Sequence, residues 1–342
     1  MSSAGSKNHH YVPQNILKRF SVGDTDSVFV FDKHNKKEFR TNVRNILSEN
    51  KFNDFLFNGR EIKMEESFTF IENKLWDTYH NVVNGESLSL DNPGEVSDLA
   101  ILMAFQFIRS KQMREMMRGV NNEIRENIRN AGCDPDEIDQ IKEMSDDDVK
   151  FENTYFMAKN LGEFSEIISK KCLILFKTTE DNPFYIGDNP VSLHSHQSYG
   201  FYGNLGLGLS GIEIYMPLSK TLTLGALCPT IIDGFFKART SIKSLLGTHK
   251  LHSILNKNYN IEEMSEKIKE MKTRYEYLDS MIDMYERGFP IICSPENVLF
   301  QNSLQVNFSH RYVLSSVQNF SLAREMIEKN PSSARGKLWE LR

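Results

Sequence analysis

Cys172-Leu173-Ile174-Leu175-Phe176 marks a change of period along the chain. Before it, apolar residues recur every three or four positions. From it onward they gather into short runs bounded by turn residues. An unbroken apolar run of this length, with turn chemistry behind it, reads as a strand buried on both faces. Asp181-Asn182-Pro183 supplies the turn, and Phe184-Tyr185-Ile186 reads as the returning strand. Two further runs follow, Ile212 to Met216 and Thr221 to Ala226, joined through Pro217-Leu218-Ser219-Lys220. The expected class is α+β, a mostly helical body with a small antiparallel sheet from about 172–226. At 342 residues, a single compact domain over 1–342 is expected, with a helix-rich part 60–171 and a sheet-containing part 172–315.

Upstream the period is helical. Phe68, Ile71, Leu75, Tyr79 and Val82 form the apolar face of a helix closed by Gly85. Glu72 lies at the edge of that face, either as a surface carboxylate or as an acid aimed into a cleft. Asn92-Pro93-Gly94-Glu95 gives the next helix a cap, a proline at its first position and a carboxylate three residues after the cap. From Leu99 to Ile108 this helix is apolar almost all round, the mark of a buried element. Gln106 and Arg109 stand out there, on one face at i and i+3. A buried arginine needs partners or a wet cavity. Arg109 is therefore either an ion-pair partner or a guanidinium clamp for phosphate or carboxylate. Past Met117 the pattern turns polar, so the same helix is expected to project into solvent. Ser145 with Asp148 repeats the capping pattern ahead of Phe151, Tyr155 and Leu161.

At the start of the chain, Asn8-His9-His10-Tyr11-Val12-Pro13 places two histidines before a proline corner. Pro13 fixes its own φ and drives Val12 into an extended conformation. Ile16, Leu17 and Phe20 then anchor one short helical turn. Val28 to Asp32 and Glu38 to Thr41 read as a hairpin across the polar turn Lys33-His34-Asn35-Lys36.

Downstream, Asp188-Asn189-Pro190 sits at a strand end, either a plain turn or a site carboxylate. Gly206-x-Gly208-x-x-Gly211 has the letters of a dinucleotide fingerprint, but a strand follows where a helix N-terminus is required. The glycine-rich stretch from Gly200 to Gly211 reads instead as a loop able to act as a lid. A heptad seam runs from Ile261 through Ile268 and Leu278 to Tyr285. It predicts a long helix packed on the body, with a homodimer seam over 261–285 as the alternative. Ser294-Pro295 opens a last core helix bearing Gln301 and Asn302. His310-Arg311-Tyr312 comes after it, then a terminal helix from Ser321 to Lys329.

Several of these stretches form one pattern. His10-Tyr11-Val12-Pro13-Gln14, backed by Leu17 and Phe20, is followed by Glu72 and by Gln106 to Arg109. Gly187-Asp188-Asn189-Pro190-Val191, Met216-Pro217-Leu218-Ser219, and Asn302 ahead of Arg311-Tyr312-Val313 complete it. The whole resembles domain-of-unknown-function family 4238, found mainly in bacteria and fungi. The resemblance spans most of the chain and departs at Ser110-Lys111, where the family often has a proline soon after the arginine. It lends a residue pattern and no established reaction.

A net charge of −5 argues against a non-specific nucleic-acid coat. Cys133, Cys172, Cys228 and Cys293 are scattered without zinc spacing, so reduced thiols in a cytoplasm are expected. No apolar run reaches membrane-spanning length and no leader segment is expected. Nucleophile-elbow, P-loop and His-Glu-x-x-His patterns are absent from the sequence. What remains is His10, Glu72, Arg109 and Asp188 as a catalytic set, with His9, Gln106, Asn189 and Asn302 as substrate-binding residues and His310 in the same pool. Histidine moves protons near neutral pH, a carboxylate orients it, and arginine offsets phosphate charge. The expectation is a nuclease-like hydrolase of an anionic substrate, nucleic acid or nucleotide. The family's kind adds a role as a bacterial defence or toxin effector. The alternative is a non-enzymatic module that senses an anionic ligand or protein partner. The same residues admit two further readings. His10, Glu72 and Asp188 are a donor set for a divalent metal, and the whole set is a hydrogen-bond network fastening the N-terminus to the helices. The sharpest expectation is that His10, Glu72, Arg109 and Asp188 line one cleft under the glycine loop.

Overall fold

Strands and helices alternate along the chain in a way that separates a helical half from two sheets. The computed structural model describes residues 8–138, 141–196, 206–247 and 261–335. The N-terminal part runs β1 (Asn8–His10), α1 (Gln14–Leu17), β2 (Ser27–Asp32), β3 (Lys37–Asn42), β4 (Ser48–Asn50), β5 (Asp54–Phe57) and β6 (Arg60–Lys63). Four longer helices follow, α2 (Glu65–Gly85), α3 (Pro93–Ile108), α4 (Lys111–Asn130) and α5 (Asp146–Ser169). Then come β7 (Cys172–Lys177), β8 (Ile186–Gly187), β9 (Ser192–Ser195), β10 (Ile212–Pro217) and β11 (Leu222–Leu227). The chain continues with α6 (Pro229–Gly247), α7 (Ile261–Glu286), β12 (Ile291–Ile292), α8 (Pro295–Phe308), β13 (Tyr312–Ser315) and α9 (Ser321–Lys329). The fold is α+β.

The main sheet has the order β12-β7-β11-β10-β9 and is antiparallel except where β12 joins β7. Every residue of β10 and β11 is buried. The pleat explains why: alternate side chains enter different cores. Ile214 and Met216 join the large core shared with α2, α3 and the Tyr11 corner. Tyr215 enters a smaller core with Ile174, Ile232 and Leu304.

A second sheet, β3-β2-β13-β8, corrects the expected strand pairing. Phe184 to Ile186 does not return beside β7. Ile186 pairs with Leu314 and Gly187 with Val313. The reason is local. Pro183 has no N–H, and the Tyr185 N–H donates to Asn302 Oδ1 at 2.7 Å, so this segment has no free ladder to offer β7. The edge of β7 away from β11 is taken by β12.

The predicted caps of α3 and α5 form: Asn92 accepts from the N–H groups of Gly94 and Glu95, and Ser145 with Asp148 makes a capping box. The helix beyond Phe105 is not continuous, however. Arg109 ends α3, Ser110 turns extended at ψ 151°, and its hydroxyl accepts from the Met113 N–H to start α4. A serine in cap position outcompetes helix continuation. The seam of α7 is used within the chain: Leu278 and Ile282 are buried, and Arg239 of α6 reaches Asp279 at 3.2 Å. Gly288 lets the end of α7 dock, since a Cβ there would stand 2.0 Å from the Leu88 carbonyl oxygen. No described helix is long and apolar enough to cross a membrane. All four cysteines are free.

Candidate functional site

The Pro13 corner exposes backbone that no regular element can satisfy, and the sequence-predicted residues gather around that need. β1 pairs with β4, placing His10 opposite Ser48. Beyond it the chain turns inward, with Tyr11 and Val12 buried. The carbonyls of His10 and Tyr11 then point at α3. Gln106 Nε2 donates to the Tyr11 oxygen at 2.7 Å, and Arg109 donates to the His10 oxygen at 2.5 Å. Residues at i and i+3 of one helix thus grip consecutive carbonyls of the corner. Arg109 also pairs with Glu72 and lies 4.9 Å from the centre of the Phe105 ring. It is only 2% exposed. Buried arginine is tolerable here because its charge meets a carboxylate, a carbonyl and an aromatic face together.

His10 is similarly occupied. Its Nε2 lies 3.3 Å from the Val43 carbonyl, and Gln14 Nε2 stands 3.3 Å from its Nδ1. Burial lowers its pKa below 6.5, so the ring is neutral with both nitrogens engaged. His9 Nδ1 accepts from the Asn53 N–H, with Asp54 at 3.7 Å from Nε2.

Asp188 lies in a neighbouring knot. Its carboxylate accepts the backbone N–H groups of His310, Arg311 and Tyr312 at 2.6, 2.7 and 2.9 Å. From the other side, Lys33 donates to the carbonyls of Val306, Ser309 and Ser333. Lys33 belongs to the polar turn of the β2–β3 hairpin, yet it is fully buried, and burial lowers its pKa to about 8. An anion on the N–H side and a cation on the carbonyl side fix the turn between α8 and β13. Asn302 staples the segment ahead of β8 through the Pro183 carbonyl and Tyr185 N–H. Asn189 Nδ2 donates to the Phe308 carbonyl, leaving its Oδ1 without a partner.

Arg109 therefore joins Glu72 to the backbone of His10, while Asp188 is bound in a separate knot at the His310 turn. Burial raises the Tyr11 phenol well above its ordinary pKa, and the Asp188 charge adds to this. The four do not line an open cleft: Arg109 and Asp188, at 2% and 1% exposure, are packed and paired. The physical reason is that Asp188 is saturated by backbone N–H groups and Arg109 is held by Glu72 and the His10 carbonyl, with only its buried Nε left unpartnered. Residues 200–205 of the expected lid lie outside the described residues.

His310 is half-buried, and its Nδ1 is itself buried and has no hydrogen-bond partner. The rings of His310 and exposed His34 meet edge-on at 5.4 Å. Burial lowers the His310 pKa, while Asp188 and Glu115 push it up and Lys111 and His34 push it down. Lys111 pairs with Glu49, and Arg311 holds Asp32 in a forked pair.

Some groups escaped the sequence reading. Arg114 is buried against the Phe52 carbonyl, Asn53 and Asn153, its pKa lowered to about 9 by burial. His194, His196 and Glu213 gather on one face of the main sheet. A His-x-His pair in a strand, beside one with a lone carboxylate among apolar residues, was the available signal. Among the described residues, His10, Glu72 and Asp188 do not form such a donor cluster.

Compared with known proteins, residues 8–319 match the family model described as "Protein of unknown function (DUF4238)". No curated protein and no solved structure matches the chain.

Proposed function

The chain thus belongs to the DUF4238 family, and from its own side chains we propose that it is a cytoplasmic hydrolase of phosphodiester type, acting on a nucleotide or nucleic acid. The observation that carries this reading is His310: a half-buried imidazole with a buried, unpartnered Nδ1 that a substrate would reach only by displacing its cover, on a turn whose backbone Asp188 and Lys33 hold still. Its lowered pKa keeps it neutral near pH 7, ready to take a proton. Lys111 and Arg311, held by Glu49 and Asp32, would supply positive charge once a phosphate displaced those carboxylates, and the Glu115 charge acts on the same imidazole. In this assignment His10, Glu72, Gln106 and Arg109 position the scaffold. A role as a bacterial defence or toxin effector extends the same reading.

The test is turnover. The purified chain is incubated with nucleotides and single-stranded nucleic acid, alongside His310→Gln. Loss of cleavage in a variant of unchanged melting temperature supports the proposal. Equal cleavage by both contradicts it. A second reading is favoured by one feature: the His34 and His310 rings meet edge-on, with the Lys111 charge acting on His310 and Arg311 next to it in the chain. An anion that displaced Glu49 from Lys111 or Asp32 from Arg311 would suit a sensor without chemistry, which would show ligand-induced thermal stabilisation and no turnover.

A further inference from the structure

His194 and His196 are two residues apart on β9 and its exit, so their side chains leave the same face of the sheet. Glu213 is paired directly opposite His194 across the β9–β10 ladder and joins them on that face. One donor atom from each of the three lies within 4.8 Å of the others. His194 Nε2 lies 3.4 Å from His196 Nδ1, and the other ring nitrogen, His196 Nε2, lies 3.5 Å from Glu213 Oε1; since one metal takes one nitrogen of His196, only one of these contacts is an edge of a single centre. A tetrahedral centre with bonds of about 2.1 Å sets its ligand atoms roughly 3.4 Å apart. We infer that His194, His196 and Glu213 form a mononuclear site for a divalent transition metal of the zinc class.

The surroundings support a built site. Glu213 is a buried carboxylate in a strand of apolar neighbours, a position that demands a compensating cation or donor. Tyr215, next on the same face, donates to Glu213 Oε2 at 2.5 Å and leaves Oε1 for a metal. Outer hydrogen bonds of this kind orient ligating carboxylates. The edge of His194 packs on Phe300 at 4.8 Å. Two imidazoles and one carboxylate match catalytic zinc and non-haem iron donor sets, which keep a position open.

That position has a cavity to serve. Glu213 and His196 form part of the wall of a cavity of about 380 Å³, lined mostly by apolar groups such as Phe176, Met281 and Phe300. The volume is in the range that holds a small organic ligand. Gln301 also lines it, nine-tenths buried, with an Oε1 that has no partner. The ligand class is a small molecule with an apolar or aromatic body, an oxygen donor for the metal and an N–H or O–H for Gln301. None of these residues belongs to the His310 face, so the two readings stand or fall separately.

The test uses the untagged full chain, stripped of metal and titrated with zinc by calorimetry and with cobalt by visible spectroscopy. His196 is 78% exposed, so His196→Ala removes a ligand without touching the core. Glu213→Gln is the second variant and His34→Ala the control. About one equivalent of metal should bind the parent and the control, with affinity weaker by on the order of 100-fold in both site variants. Benzohydroxamate, an aromatic ring carrying an oxygen chelator, should shift the cobalt bands. No binding by the parent, unchanged affinity in His196→Ala, or cobalt bands indifferent to benzohydroxamate would overturn the inference.

Discussion

Arg109 shows how far single residues can be read. An arginine in an apolar helix announces a partner, and the sequence placed Gln106 beside it correctly. Its partner Glu72 was in the set named from sequence; that Arg109 and Gln106 also grip one carbonyl each of the proline corner could not be read, because backbone need depends on tertiary path. The burial of Lys33 escaped for the same reason: in a Lys-His-Asn-Lys turn nothing distinguishes the lysine that folds inward. Its three carbonyl contacts make Lys33→Met a strong test of the clamped turn. Unfolding by urea should show a loss on the order of 3 kcal/mol, since three buried acceptors lose their donor. A change within experimental error would mean the turn holds itself. Protonation offers another residue-scale test. Burial holds the pKa values of His10 and His310 below 6.5, so the unfolded chain binds more protons just below that pH. Stability should be full above pH 6.5 and fall as the pH drops past it, with a shallower fall in His310→Gln. Stability that rises on acidification through this window would refute the assignment. A second loss should begin below pH 3.8. Although burial works against it, the Arg311 and Asn35 hydrogen bonds hold Asp32 down to about 2.

At the scale of elements, strong periodicity was legible and its interruptions were not. The buried character of α3 followed from its unbroken apolar run, and Leu99 through Ile108 are buried apart from Ile101. Leu102 lies in the large core, so Leu102→Ala should cost about 2–5 kcal/mol by denaturant titration. In hydrogen exchange, the α3 amides should open only with global unfolding. Exchange as fast as at the chain ends would remove α3 from the core. The break at Ser110 escaped because the helical pattern continues across it into Met113 and Met117. Only the cap hydrogen bond reveals the new start. The heptad of α7 gave the helix but not its partner, which includes α6: Met281, Met284 and Tyr285 pack in the small core with Ile232 and Phe235.

At the scale of the molecule, strand pairing was the least legible feature. The hairpins β2–β3 and β10–β11 could be read because their turns are local. That β2 would pair with β13, bringing Val30 beside Leu314 across most of the chain, left no local trace. This long-range sheet carries the account, because it brings Asp32, Lys33 and His34 to the turn that bears His310. The packed side of that region, from Glu72 to Arg109, is assigned to holding the corner, and the His310 turn to chemistry. One paired measurement separates these roles: melting temperature and phosphodiester cleavage for Arg109→Ala and His310→Gln. The account expects Arg109→Ala to lose stability by on the order of 3 kcal/mol through its orphaned partners. His310→Gln should keep its melting temperature and lose cleavage. An Arg109→Ala chain that melts like the parent yet no longer cleaves, beside a fully active His310→Gln, would contradict it.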